Sequence, residues 1–224
     1  YIKVMLNSLK MALICTVICL LLGYPMAYLM TKLSPFWRNL SSFLLVLPMW
    51  MNFLIRTYAW RPLLADNGLI HSILKFLHLP TPQLMPSQGA VALGLVYNLL
   101  PFMVLPIFNM LVKLDKSVLE ASYDLGANRV KTFMRVVLPL SMPGVISGIM
   151  MTFMPAMTTF TVSKILGGGQ TMLIGDLIER EFKTSGNWGF GSAISLILMV
   201  LMLGTMGFLT KSEREQNESG HSIL

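Results

Sequence analysis

Charge is scarce in this chain. Only 12% of its 224 residues are Asp, Glu, Lys or Arg, about half the ~25% usual for a soluble domain. With 54% hydrophobic residues, this excludes a disordered chain, a disulfide scaffold and most soluble enzymes. Cysteine is limited to Cys15 and Cys19. Their spacing puts both on one helix face as small lining, and no nearby His or further Cys completes a metal site. The three histidines, His71, His78 and His221, fall in loops or the tail, and no His-Glu-x-x-His occurs. The long apolar runs hold no carboxylate. A membrane enzyme and an ion-coupled carrier therefore both lack their usual groups. Gly167-Gly168-Gly169-Gln170-Thr171 is glycine-rich, but no Gly-Lys-Ser/Thr follows it. It lacks the phosphate cradle of an ATPase and reads as an external loop.

What the chain does have is apolar sequence of membrane length. A spanning helix takes about 20 apolar residues. Five such helices are predicted, at 11–30, at 40–55, and within 84–112, 136–163 and 184–211. The runs are continuous rather than alternating, which excludes a β-barrel. The expected fold class is all-α, a polytopic transmembrane helix bundle. Residues 1–211 form one membrane domain and 212–224 a polar, frayed tail. Pro25, Pro48, Pro101, Pro106 and Pro155 interrupt four of the spans and suggest kinked helices around a cavity. Gly144 and Gly148 form a Gly-x-x-x-Gly, a place of close helix approach that serves either a dimer face or an internal contact. The net charge of +7 suits cytoplasmic loops and lipid headgroups, not nucleic acid.

The most informative segment lies between two spans, at 113–138. Residues 114–139 read LDKSVLEASYDLGANRVKTFMRVVLP. Ser117 and Glu120 are spaced as a capping box. Gly126 stands where a helix stop needs positive φ. Asn128 can cap a second helix, expected to end before Pro139. The expected unit is a helix–turn–helix on the membrane surface.

Glu120-Ala121-Ser122, Gly126 and Val136-x-Leu138-Pro139 resemble the coupling loop of ABC-importer permeases. That pattern is Glu-Ala-Ala, three residues, Gly, nine residues, Ile-x-Leu-Pro; Ser122 and Val136 are its departures. NSLKMALICTVICLLLGYPMAYLM, LPMWMNFLIRTYAW, LVYNLLPFMVLPIF and GGGQTMLIGDLI look like the B-type permease subunit of spermidine/putrescine importers. Importers of ferric ion, thiamine or phosphonates share much of the pattern and remain alternatives. A stand-alone channel or secondary transporter would not need such a loop.

The resemblance implies a type I importer permease in a bacterial inner membrane. Its expected partners are a second permease subunit, a cytoplasmic ATPase dimer and an external substrate-binding protein. It binds no cofactor itself; ATP and Mg belong to the ATPase. Glu120, Ala121, Ser122, Leu125, Gly126 and Pro139 would couple it to that ATPase. A polyamine route would rely on aromatic and polar groups, with Trp50, Asn52, Tyr58, Trp60, Tyr97, Asn98, Phe153 and Phe160 as candidates. Arg56 and Arg61 would anchor a span end at the headgroups or meet the binding protein, and Glu179 and Glu181 would face it as well. Positive charge barely biases orientation: nine of the 17 Lys and Arg lie in 31–39, 113–135 and the tail. The family places the loop and the C-terminus in the cytoplasm. Five spans then put Tyr1 outside, so a preceding span is expected, in a protein of six.

Overall fold

The computed structural model describes residues 1–77, 83–169 and 171–221, with the backbone alone at Lys116 and from 208 onward. His78, Gln170 and the side chain of His221 lie outside this description. In chain order the helices are α1 (Ile2–Thr31), α2 (Pro35–Val46), α3 (Phe53–Tyr58), α4 (Trp60–Leu64), α5 (Leu69–Phe76), α6 (Gln88–Val112), α7 (Lys116–Asp124), α8 (Arg129–Thr132), α9 (Leu138–Thr158), α10 (Thr161–Gly167), α11 (Ile174–Lys183) and α12 (Trp188–His221). Among the described residues there is no strand.

Among the described residues four segments are long and apolar enough to cross a membrane: Ile2–Thr31, Gln88–Val112, Arg129–Thr158 and Trp188–Gly207. The span expected at 40–55 is not one straight helix. The segment Pro35–Trp50 meets Phe53–Phe76 at 97°. Pro48 cannot donate to the preceding turn, so the chain tightens into a 3-10 turn at Leu47–Trp50. Met51 is extended, and Asn52 starts a new helix by accepting the Leu54 N–H at 2.8 Å.

α1, α6 and α9 form the core. The buried side of α1 carries Met11, Ala12, Cys15, Cys19 and Ala27, while Leu13, Val17, Leu21 and Leu29 are exposed. Both faces are apolar, and the buried one is richer in small residues, although Met11, Tyr24 and Met30 are buried as well. Small residues let the neighbouring helices approach, and the exposed large ones face lipid. Gly144 and Gly148 resolve in the same way, as an internal contact with α6. A Cβ at Gly144 would stand 2.8 Å from the Pro106 carbonyl oxygen, and one at Gly148 3.1 Å from that of Met103.

Past α9 the chain doubles back. α10 buries Val162 and Leu166 against Gly94 of α6. α11 is pinned to the start of α1, where the Ile174 N–H donates to Ser8 Oγ at 2.7 Å. α12 leaves Leu196, Ile197, Val200 and Leu203 exposed, an apolar face for lipid or another membrane chain. Its helix runs on to His221, past the start of the polar tail.

Candidate functional site

The surface loop at 113–138 folds into two helices with an ordered joint. Asp115, not Ser117, is the N-cap of α7. Its Oδ1 accepts the Ser117 N–H at 3.0 Å, and this backbone hydrogen bond holds the Asp115 carboxyl below the usual range. Ser117 already lies within the first turn, so the capping box is not formed there. At the other end Gly126 has φ 79°. The Ala127 N–H donates to Ser122 O at 3.1 Å and the Gly126 N–H to Tyr123 O at 2.8 Å. This doubly bonded left-handed stop closes α7. Asn128 then caps α8, its Oδ1 accepting the Lys131 N–H at 2.8 Å.

Ser122, which departs from the Glu-Ala-Ala pattern, has a specific contact. Its Oγ lies 2.9 Å from Thr132 Oγ1, both buried, and ties α7 to α8. α8 does not stop before Pro139. A π turn at Phe133–Val137 carries it directly into α9. The Leu138 N–H reaches back five residues to Phe133 O. Pro139 has no N–H and its ring would crowd the carbonyl of Arg135; the widened turn just ahead of it gives it room. Phe133 also packs edge-on against Tyr24 and Tyr28, at 5.8 and 5.3 Å. The Tyr24 hydroxyl is 2.8 Å from Ser141 Oγ. The loop is thus joined rigidly to α9 and, through Phe133, to α1.

Its outer surface is open. Glu120, Ala121, Gly126 and Pro139 are exposed, and Leu125 is 89% exposed. Val118, Tyr123, Val130 and Met134 are exposed beside them. So much apolar surface on a polar, well-ordered loop suits a protein partner.

The eight candidate pathway residues do not form one group. Trp60 and Tyr97 meet edge-on at 5.3 Å. Beside Tyr97 on α6, Asn98 is buried, and its Nδ2 donates to Thr57 Oγ1 at 3.3 Å and Gly94 O at 2.8 Å, while its Oδ1 has no partner. The other five lie apart. Asn52 is the cap of α3, Trp50 is exposed and meets Phe43 edge-on, and Tyr58 is exposed. Phe153 is in the core, and Phe160 starts α10 beside Lys164.

Arg56 joins the Trp60–Tyr97–Asn98 group, contrary to the headgroup anchor expected of it. It is 7% exposed, donates to Pro48 O at 3.1 Å, and lies 5.8 and 5.9 Å from the ring centres of Phe53 and Tyr97. The carbonyl it binds belongs to the proline that breaks the span, a tertiary link that hydropathy does not carry. Arg61 is exposed.

On the side of α10 and α11, Glu179 is not a free outward carboxylate. It pairs with Lys164, and with Lys183 at 3.1 Å. Burial pushes its carboxyl up, but the two ammonium groups outweigh this and hold it below the usual range. Glu181 is buried. Asp176 is buried too, which raises its pKa although its Oδ2 accepts from the Ser163 hydroxyl at 2.7 Å and the Leu173 N–H at 2.8 Å.

Comparison with known proteins agrees with this geometry. Residues 19–215 match the family described as binding-protein-dependent transport system inner membrane component. The chain belongs to this family. It is 47% identical over 205 residues to the spermidine/putrescine transport system permease protein PotB of Haemophilus influenzae, covering 90% of this chain and 71% of that protein. It is 45% identical over 204 residues to PotB of Escherichia coli, covering 90% and 74%. Among solved structures, a bacterial ABC transporter that imports alginate aligns with a TM-score of 0.79 at 14% identity, over 96% of this chain and 79% of that one. The MetNI methionine ABC transporter aligns at 0.68 and 17%, over 96% and 95%. These last two show the shared fold. The permease is therefore a multi-pass inner-membrane transport component with the type I importer architecture.

Proposed function

We propose that the permease forms, with a second permease subunit, the membrane pathway of a polyamine importer. A cytoplasmic ATPase dimer powers it through ATP and Mg, and an external binding protein delivers spermidine or putrescine. The loop at 113–138 faces the cytoplasm, as does the C-terminus. The observation that carries this reading is the loop itself: exposed apolar groups around Glu120 and Leu125 on a joint that runs without a break into α9. A groove on the ATPase that receives α7 covers Leu125 and Ala121 and meets Glu120. Closure of the ATPase pair then moves α7, α8 and α9 together. Two states biased by a distant ligand make the coupling allosteric. The 45–47% identity to polyamine permeases supports the substrate class.

One observation favours the runner-up, a related importer for another small solute. Arg56 places a buried cation beside Trp60 and Tyr97, where an anionic solute is better received than a polycation. In the polyamine reading Arg56 belongs to the wall, and the unpartnered Asn98 Oδ1 and the Trp60 ring meet the ammonium groups.

Uptake separates the two. Cells lacking their own polyamine importers would express the full-length permease with its companion ATPase, second permease and binding protein. Energy-dependent uptake of labelled spermidine or putrescine that is lost with Glu120→Lys is expected. No uptake from an assembled, ATP-hydrolysing complex would move the substrate to another class. Normal uptake with Glu120→Lys would remove the coupling role.

A further inference from the structure

Behind the coupling loop lies a cavity of about 520 Å³ whose lining has two characters. The cationic and polar part of its lining is Lys32, Arg38, Arg129 and Thr31, with the rings of Tyr28 and Tyr123. The apolar part includes Leu111, Leu114, Leu119 and Val137. Among the described residues no carboxylate lines it. Among the described residues none of the three cations is in an ion pair; the ion pairs found are those of Glu179 with Lys164 and Lys183. Lys32 rests instead over the Tyr28 ring, 4.2 Å from its centre. Three clustered like charges without a counter-ion repel one another, and an anion placed among them relieves the repulsion.

The position of the cavity names the anion. It sits where α1 ends, α2 begins and α6 ends, at the membrane boundary of the spans. Phe36 and Trp37 are exposed at the start of α2, as aromatic side chains are at a headgroup level. A free phosphate ion would use the cations and leave the apolar part wet. An amphipathic ligand fills both. Basic pockets between spans on the cytoplasmic side are suited to anionic headgroups.

We propose that this cavity holds the headgroup of an anionic phospholipid from the inner leaflet. The phosphate lies among Lys32, Arg38 and Arg129, and the glycerol and upper acyl carbons lie against Leu111, Leu114 and Leu119. Arg129 and Thr132 belong to the coupling unit, and Lys32 and Arg38 to the ends of α1 and α2. The lipid therefore bridges the moving loop and the spans, and its occupancy sets how firmly the two move together. This rests on the cytoplasmic placement of the loop proposed above.

The test uses the assembled complex with full-length permease. After detergent extraction it is exchanged into micelles doped with equal amounts of phosphatidylglycerol and phosphatidylcholine, and retained lipid is counted by native mass spectrometry. The wild type should retain phosphatidylglycerol selectively. Lys32→Gln/Arg38→Gln/Arg129→Gln should lower its affinity by about a hundredfold, each lost cation counting roughly fivefold. Lys32→Arg/Arg38→Lys/Arg129→Lys, which keeps the charge, should retain the lipid and shows that the sites tolerate substitution. Equal retention by wild type and the Gln variant, or no preference over phosphatidylcholine, would overturn the lipid site. Displacement of the lipid by millimolar inorganic phosphate alone would also overturn it and assign the cations to a soluble anion.

Orientation is read separately, by labelling Leu125→Cys with a membrane-impermeant thiol reagent in membranes that carry the full-length permease without its ATPase, so that the position is uncovered. Labelling only in inside-out vesicles is expected. Labelling only in intact cells would overturn the cytoplasmic placement, whatever the lipid count.

Discussion

Removing the Ser122 hydroxyl isolates one contact that joins the two helices of the 113–138 loop. Ser122→Ala restores the small side chain of the Glu-Ala-Ala pattern and leaves the backbone of α7 undisturbed. It strands Thr132 Oγ1, which is buried and has Ser122 Oγ, 2.9 Å away, as its hydrogen-bonded partner. An unpaired buried hydroxyl costs about 1–3 kcal/mol. If that cost falls on the docking of α7 against α8, the opening free energy of the joint drops by the same amount. Amides protected by the joint, those of Leu125, Gly126 and Ala127, should then exchange roughly fivefold to a hundredfold faster. Hydrogen–deuterium exchange with mass spectrometry of the 113–138 peptides measures this. Ser122→Ala/Thr132→Val removes both hydroxyls and should return exchange close to wild type, because no polar group is left stranded. Exchange within twofold of wild type in the single variant, or a double variant as fast as the single, would refute the reasoning.

Gly126→Val forces a β-branched residue into φ 79° with nothing crowding its Cβ. It should therefore shorten α7 at its end and reduce ATPase association without lowering the yield of folded permease, as read by copurification. Gly148→Leu meets the Met103 backbone and Sδ instead, so it should separate α9 from α6 and abolish recovery of monodisperse protein by size exclusion. Asp176→Asn keeps an acceptor for the Leu173 N–H but removes a carboxylate that burial holds above its ordinary pKa. Between the ordinary and the raised value the folded wild type binds more protons than the unfolded chain, so wild-type stability falls as pH rises through that window. The variant should therefore melt higher than wild type above the window and lose this advantage on acidification below it; a pH-independent difference would contradict the burial.

Hydropathy located the spans because lipid imposes one requirement on all of them. It could not show direction, so the apolar run at 40–55 read as straight although Pro48 and Asn52 carry a break and a new cap. Local rules worked where the partners are local: Gly126 has positive φ and Asn128 caps α8. They failed where two local choices competed, as Asp115 took the cap two residues ahead of Ser117. Pro139 looked like a helix boundary because a proline usually ends a helix, yet a π turn absorbs it. Of the candidate pathway residues, Trp60, Tyr97 and Asn98 cluster because α6 places two of them side by side and α4 crosses nearby. Arg56 and Thr57 complete that cluster through contacts distant in sequence. The Ser122–Thr132 bond was hidden for the same reason: it depends on how α7 folds back on α8.

In the coupling proposed above, the unbroken backbone from Arg129 to Thr158 would act as a lever. Its fulcrum is the pair Gly144 and Gly148, where the backbone of α9 comes closest to that of α6. At 1.5 Å per residue, the arm from the fulcrum to Arg129 is about 25 Å and the arm to Thr158 about 18 Å. A push at the loop end therefore returns as a smaller, opposite swing at the far end, about seven-tenths as large. Thr158 touches Gly175, at the start of α11. In that proposal one stroke of the lever would move both rims of the bundle in opposite senses, opening one as it closes the other.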